Sequence, residues 1–167
     1  MKLLLILVVL ASNIVWGEWI EPPARSAKGY LVPTPDYVPV FPRDHGSHPE
    51  HGIEWWYWVG HLNAVDSEKK FGFQSTIFRL AGDPEKSGVT QSEPFGNQNL
   101  FLVHTALSDF EEEKYIHHER VMREGWQARS SEKTLSLTVG GVKVNLLEEE
   151  DGHKVVTRYP DGAKLEL

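Results

Sequence analysis

The sequence predicts an all-β fold, an antiparallel up-and-down barrel or sandwich of about eight strands. Three observations predict it. Short runs rich in β-branched and aromatic residues recur along the chain, each bounded by turn-forming residues. Gly140-Gly141 joins two of these runs through a two-residue connection, the length that primed hairpin turns demand. No segment has convincing helical periodicity; the best candidate, residues 110–123, contains Tyr115, Ile116 and the His117-His118 pair and reads better as a turn plus a strand.

Taken in order, residues 1–17 have the form of a secretory leader. Lys2 supplies a short basic start, Leu3 to Ala11 is an unbroken apolar run, and Val15-Trp16-Gly17 offers a cleavage position. The run is far shorter than the ~20 residues that span a bilayer, so the expectation is a secreted or periplasmic protein without a stable membrane anchor. Residues 18–43 carry Pro22, Pro23, Pro33, Pro35, Pro39 and Pro42 with few periodic apolar positions, and predict an extended lead-in that wraps the domain or stays mobile.

The folded part starts near Asp44. Predicted strands 53–64 and 70–80 flank Asp66-Ser67-Glu68, and 100–109 and 114–124 flank a second acidic turn at Glu111 to Glu113. Strands 134–139 and 142–147 follow, then 154–159 and 163–167, punctuated by Asp151-Gly152 and Asp161-Gly162. The last run still alternates apolar and charged residues where the sequence stops, which predicts an unpaired edge.

Once the leader is set aside, about 150 residues remain, one ordinary domain with enough chain to enclose a core. There is no cysteine, so a disulfide framework and a cysteine-linked lipid are both excluded. A net charge of -7 argues against nucleic acid and anionic membranes as partners. The acids at Glu111 to Glu113 and Glu148 to Asp151 read as solvated turns.

The densest chemistry lies in residues 44–58, where three histidines, three carboxylates and four aromatics crowd into a loop broken by Gly46, Pro49 and Gly52 and into the strand that follows. Period-two sorting of that strand puts Glu54, Trp56 and Trp58 on one face and Ile53, Trp55, Tyr57 and Val59 on the other. Both faces are largely apolar, so both are expected to meet protein or ligand. Trp55 and Trp56 cannot enter one core together, and one of them must line a second interface or a cavity.

Glu54, Gln74 and His104 are lone polar residues among apolar neighbours in adjacent predicted strands, and are expected side by side on one face. A carboxyl buried without a full charge partner is the state a general acid needs, and a nearby imidazole can order water. The competing reading is that Glu54 forms a structural pair with Arg79 or His104. His45, His48 and His51, with Asp44 and Glu50, have the residue types of a divalent-metal site. Their spacing suits a helix that the glycines and proline forbid, and no His-Glu-x-x-His pattern supports it, so no metal site is expected. Ser47 lacks the elbow or oxyanion site that a nucleophile requires.

Asp44-x-x-x-His48-Pro49 followed by Glu54-Trp55-Trp56-Tyr57-Trp58 and Gly60, together with Glu119-Arg120-x-x-Arg123-x-Gly125, resembles the carotenoid 1,2-hydratase/AttH-like family. The resemblance covers roughly residues 40–167. It implies a lipocalin-like barrel and, because such proteins usually carry two successive barrels, a chain cut short after its N-terminal one. It also implies cofactor-free hydration of a double bond in a long apolar isoprenoid or polyene, in which an acid protonates the alkene, aromatic faces steady the cation and water adds. On strand faces alone, Glu54 is the expected acid and His104 its water-orienting partner. Trp56 and Trp58 are the expected walls, with Tyr57, Gln74, Arg79 and His48 as further ligand contacts. The alternatives are non-catalytic binding of a hydrophobic small molecule in a Trp-lined barrel, or a metal-dependent hydrolase on the histidine loop. The expected partners are the apolar ligand and either a second lipocalin-like domain or a second copy of the chain.

Overall fold

The computed structural model describes residues 20–83, 99–147 and 152–167. The expected leader at 1–17 and the acidic turn at 148–151 lie outside the described residues. Within them the chain is all-β, with nine strands and a single short 3-10 turn at Arg43–His45. No helix among the described residues is long and apolar enough to cross a membrane.

The first four strands are β1 (Ile53–Asn63), β2 (Lys70–Leu80), β3 (Leu100–Asp109) and β4 (Lys114–Arg123), paired in sequence order as an antiparallel meander. A second meander holds β5 (Ala128–Ser130), β6 (Ser136–Val139), β7 (Val142–Leu147), β8 (Gly152–Arg158) and β9 (Lys164–Glu166). The expected lipocalin-like barrel, complete or incomplete, is not closed by the described strands. At Gly125 the chain turns back, with the Gly125 amide donating to Ala128 O at 2.7 Å, and β5 pairs with β6 rather than prolonging the first sheet. Two open sheets result.

Their inner faces bury each other. Ile77, Phe101 and Val103 from the first sheet meet Ala128, Leu137, Val139, Val142, Val144 and Val155 from the second, with Leu135 from the segment before β6, and Trp56, Trp58, Met122 and Leu146 pack around them. Two polar ties cross this core: Ser75 Oγ to Thr157 Oγ1 at 3.2 Å, and the Tyr159 hydroxyl donating to Ala106 O at 3.1 Å. Burial, reinforced by Asp161, pushes the Tyr159 phenol up to about 12, so it stays protonated and the tie holds across the ordinary pH range.

Gly140 and Gly141 both have positive φ, +55° and +99°, and Val139 pairs directly with Val142, as a primed two-residue turn requires. A Cβ on Gly140 would also lie 3.0 Å from Val103 Cγ1 and 3.1 Å from Met122 Sδ, because the turn tucks against the first sheet. The outer face of β1 shows the opposite environment: Ile53, Trp55, Tyr57 and Val59 are all more than half exposed. Only one of the two apolar faces is thus covered by the second sheet.

The Pro-rich lead-in wraps. Leu31 bridges His51 in parallel, its amide donating to Glu50 O at 2.9 Å, and the Val32 amide donates to Ala24 O at 3.1 Å. This lays residues 24–37 along the loop that precedes β1.

Candidate functional site

The loop 43–52 is anchored at both ends. Its amide at Ser47 donates to Ser131 O at 2.8 Å, and Gly46 lies so close to the same strand junction that a Cβ there would come within 2.6 Å of Ser131 O. From β2, Arg79 enters beneath the loop and is 1% exposed. Its Nε donates to Glu54 Oε1 at 2.5 Å, its Nη2 to His48 O at 2.7 Å and His51 O at 2.8 Å, and its Nη1 to Asn99 Oδ1 at 3.2 Å. Asn99 in turn donates to Glu124 Oε2 at 2.9 Å. One guanidinium thereby gathers β1, β2, the histidine loop and the start of β3, in the forked geometry that suits arginine and not lysine.

Glu54 receives more than the arginine. The His48 amide reaches both of its oxygens, at 3.0 and 2.9 Å, and His48 Nδ1 lies 3.1 Å from Oε2. The other ring nitrogen, Nε2, lies 3.2 Å from Asp44 Oδ1, so the imidazole is held between two carboxylates. A neutral ring carries one N–H and can satisfy one of them; the protonated ring satisfies both.

Asp44 is further engaged by the Tyr37 hydroxyl at 2.5 Å and the Val40 amide at 2.6 Å, both on Oδ2, and by Arg43 Nη1 on Oδ1 at 3.1 Å. The Tyr37 bond first and the Val40 bond next hold its carboxyl well below the usual 3.8, with smaller help from His48 and Arg43. A group whose pKa is lower folded than unfolded adds stability above the unfolded value and withdraws it as the pH falls toward the folded one. Urea denaturation should therefore show wild-type stability declining below about pH 4, and Asp44→Asn should flatten that decline. An unchanged slope in the variant would remove Asp44 from the acid response.

Beside this network lies a cleft of about 570 Å³. The lead-in contributes Ala24, Leu31, Val32, Pro33, Thr34 and Tyr37; β1 contributes Ile53 and Trp55. His48, Glu50, His51 and Glu54 form its polar side. The volume lies in the range of small-molecule sites, and so does the mixture of apolar walls with a few convergent polar groups. A second cavity of about 360 Å³ is lined by Asp44, His45, Trp55, Trp56, Tyr57, Trp58, Leu135 and His153.

The expected residues fall in four places. His48 and Glu54 line the larger cleft, and Trp56, Tyr57 and Trp58 line the smaller cavity, where Trp56 Nε1 donates to His45 O at 3.1 Å and Trp58 Nε1 to His153 Nδ1 at 3.3 Å. Arg79 lies beneath the loop and lines neither. Gln74 and His104 lie on the outer face of the first sheet.

The expected trio of Glu54, Gln74 and His104 is thus corrected. Glu54 pairs with Arg79 and Arg79 with Phe101, whereas His104 pairs with Thr76 and Gln74 with Ala106, on the opposite face. His104 Nε2 lies 3.6 Å from Glu119 Oε2, and its ring packs edge-on against Phe78 with centroids 5.8 Å apart. Glu54 also has the full charge partner that an unpaired acid would lack.

The three loop histidines diverge as well: His45 stacks on Phe41 at 4.2 Å, His48 sits between its carboxylates, and His51 Nδ1 lies 2.9 Å from Leu31 O. No group of three or more histidine and acidic side chains placed to hold a metal ion occurs among the described residues. Sequence reasoning missed the cleft's other wall, Leu31 to Thr34 with Tyr37, because nothing local ties those residues to a loop twenty positions on.

An all-β fold of two meanders, with a buried Arg–Glu pair under a His-rich loop, defines a small β-protein with a ligand-sized cleft against its first strand. The profile of the AttH-like family matches residues 32–167, and the chain belongs to that family. No curated protein and no solved structure matches it at the stringency applied.

Proposed function

We propose that the protein binds a hydrophobic small molecule in the cleft between the lead-in and β1. The observation that carries this is the cleft itself, in which Leu31, Val32, Pro33, Ile53 and Trp55 form continuous apolar walls beside one polar edge. Trp55 supports the reading: an indole left 55% exposed on a strand is the side chain a ligand would cover. Binding is favoured over acid-catalysed hydration through Glu54, because both Glu54 oxygens are already engaged as acceptors from Arg79 and His48. The basic start and apolar run at the N-terminus support action outside the cytoplasm.

Titration with all-trans-retinol, a neutral polyene, followed by energy transfer from tryptophan, should show saturable one-site binding. Trp55→Ala should weaken it about tenfold, read from retinol's own emission, with the fold intact by circular dichroism. Absence of saturation, or an unaltered affinity in the Trp55 variant, would refute the placement.

A further inference from the structure

The geometry points to His51 Nε2 as the acceptor that recognises a hydroxyl on the ligand, so that the cleft selects a neutral apolar alcohol over the corresponding ether or carboxylic acid. This rests on the cleft being the ligand site.

His51 Nδ1 lies 2.9 Å from Leu31 O. A carbonyl oxygen only accepts, so the hydrogen is on Nδ1, and in the neutral ring Nε2 carries the lone pair. Among the described residues Nε2 has no hydrogen-bond partner, and His51 lines the cleft. By contrast, both ring nitrogens of His48 are engaged by carboxylates, which leaves that ring nothing to offer a ligand. The tautomer of His51 is set by the same backbone contact that docks the lead-in, so the acceptor is oriented before anything binds.

Charge narrows the ligand class. Three carboxylates, Asp44, Glu50 and Glu54, stand at or beside the polar edge. Of the guanidiniums nearby, Arg79 is committed to Glu54, Asn99 and two carbonyls, Arg43 to Asp44 and, at 3.9 Å, Glu50, and Arg25, bridged to Leu31, donates to Gly29 O at 2.7 Å. An anionic headgroup would meet these acids at the polar edge, whereas a hydroxyl donates to Nε2 and adds no charge.

The test compares all-trans-retinol, its methyl ether and retinoic acid at about pH 8, above the ordinary histidine range. The wild-type protein should bind retinol about tenfold more tightly than the ether, the scale of one neutral hydrogen bond, and retinoic acid more weakly than either. Two variants separate recognition from structure. His51→Phe removes both nitrogens; His51→Asn places its amide N–H where Nδ1 was, keeping the donor to Leu31 O, while its amide oxygen stops short of the Nε2 position and leaves no acceptor there. In His51→Asn, retinol affinity should fall to that of the ether while ether affinity stays put. Equal loss for both ligands would make His51 only a clamp on the lead-in and overturn the inference, as would a wild type that does not discriminate alcohol from ether. Failure of all three ligands to bind the folded wild type would remove the cleft reading itself, and this inference with it.

Discussion

Arg79→Met is expected to destabilise the protein by about 3–5 kcal/mol in urea denaturation, the usual result of deleting one partner of a buried ion pair. The arginine is 1% exposed and is the donor for Glu54, Asn99 and the carbonyls of His48 and His51. Its loss strands a half-buried carboxylate and two loop carbonyls at once. Methionine fills much of the volume, so the cost reflects the lost donors and not a cavity.

Glu54→Gln should cost a similar amount from the other side, because the guanidinium then lacks its counter-charge in a dry site. The double variant should be less destabilised than the sum of the two singles, since neither partner is left waiting for the other. Additive losses would mean that the two residues act separately. A Glu54→Gln protein as stable as wild type would show that the pair is dispensable, and would reopen a chemical role for the carboxyl.

Phe101→Ala is the second large effect, about 3–5 kcal/mol. Phe101 is fully buried and lies between Arg79 of β2 and Met122 of β4 on the face that meets the second sheet. Removing its ring opens a cavity in the plane where the two meanders touch, and both are held by their own hydrogen bonds and cannot collapse into it. Val121→Ala is the control: it is 64% exposed, on the opposite face of β4, and should cost below about 1 kcal/mol. A one-residue register slip would exchange the two faces, so comparable losses for the two variants would refute the pairing of β3 with β4.

Much of the fold was legible in the sequence because strand periodicity and turn chemistry are local. Residues 70–80, 100–109 and 142–147 are β-prone runs bounded by turn-forming residues and form β2, β3 and β7 with those bounds, and Gly140-Gly141 adopts the positive φ angles of a type I′ turn. Three-residue β5 was not legible, since Ala128 to Ser130 is too short to carry a period. The conflict between adjacent Trp55 and Trp56 was visible in advance, and they do separate, one outward and one toward the core.

The site divides in the same way. Local pattern was enough for the residue types in the loop, the all-β class and the two faces of β1, because each follows from neighbours within a few positions. Long-range packing set the rest: Glu54 meets Arg79 and not His104, the described strands form two open sheets, and the lead-in supplies a cleft wall with His51 clamped to Leu31. Those outcomes depend on which residue of a distant strand or segment comes alongside. That is set by the joint burial of two sheets and the pairing of backbone groups far apart in the chain, and no local pattern encodes it.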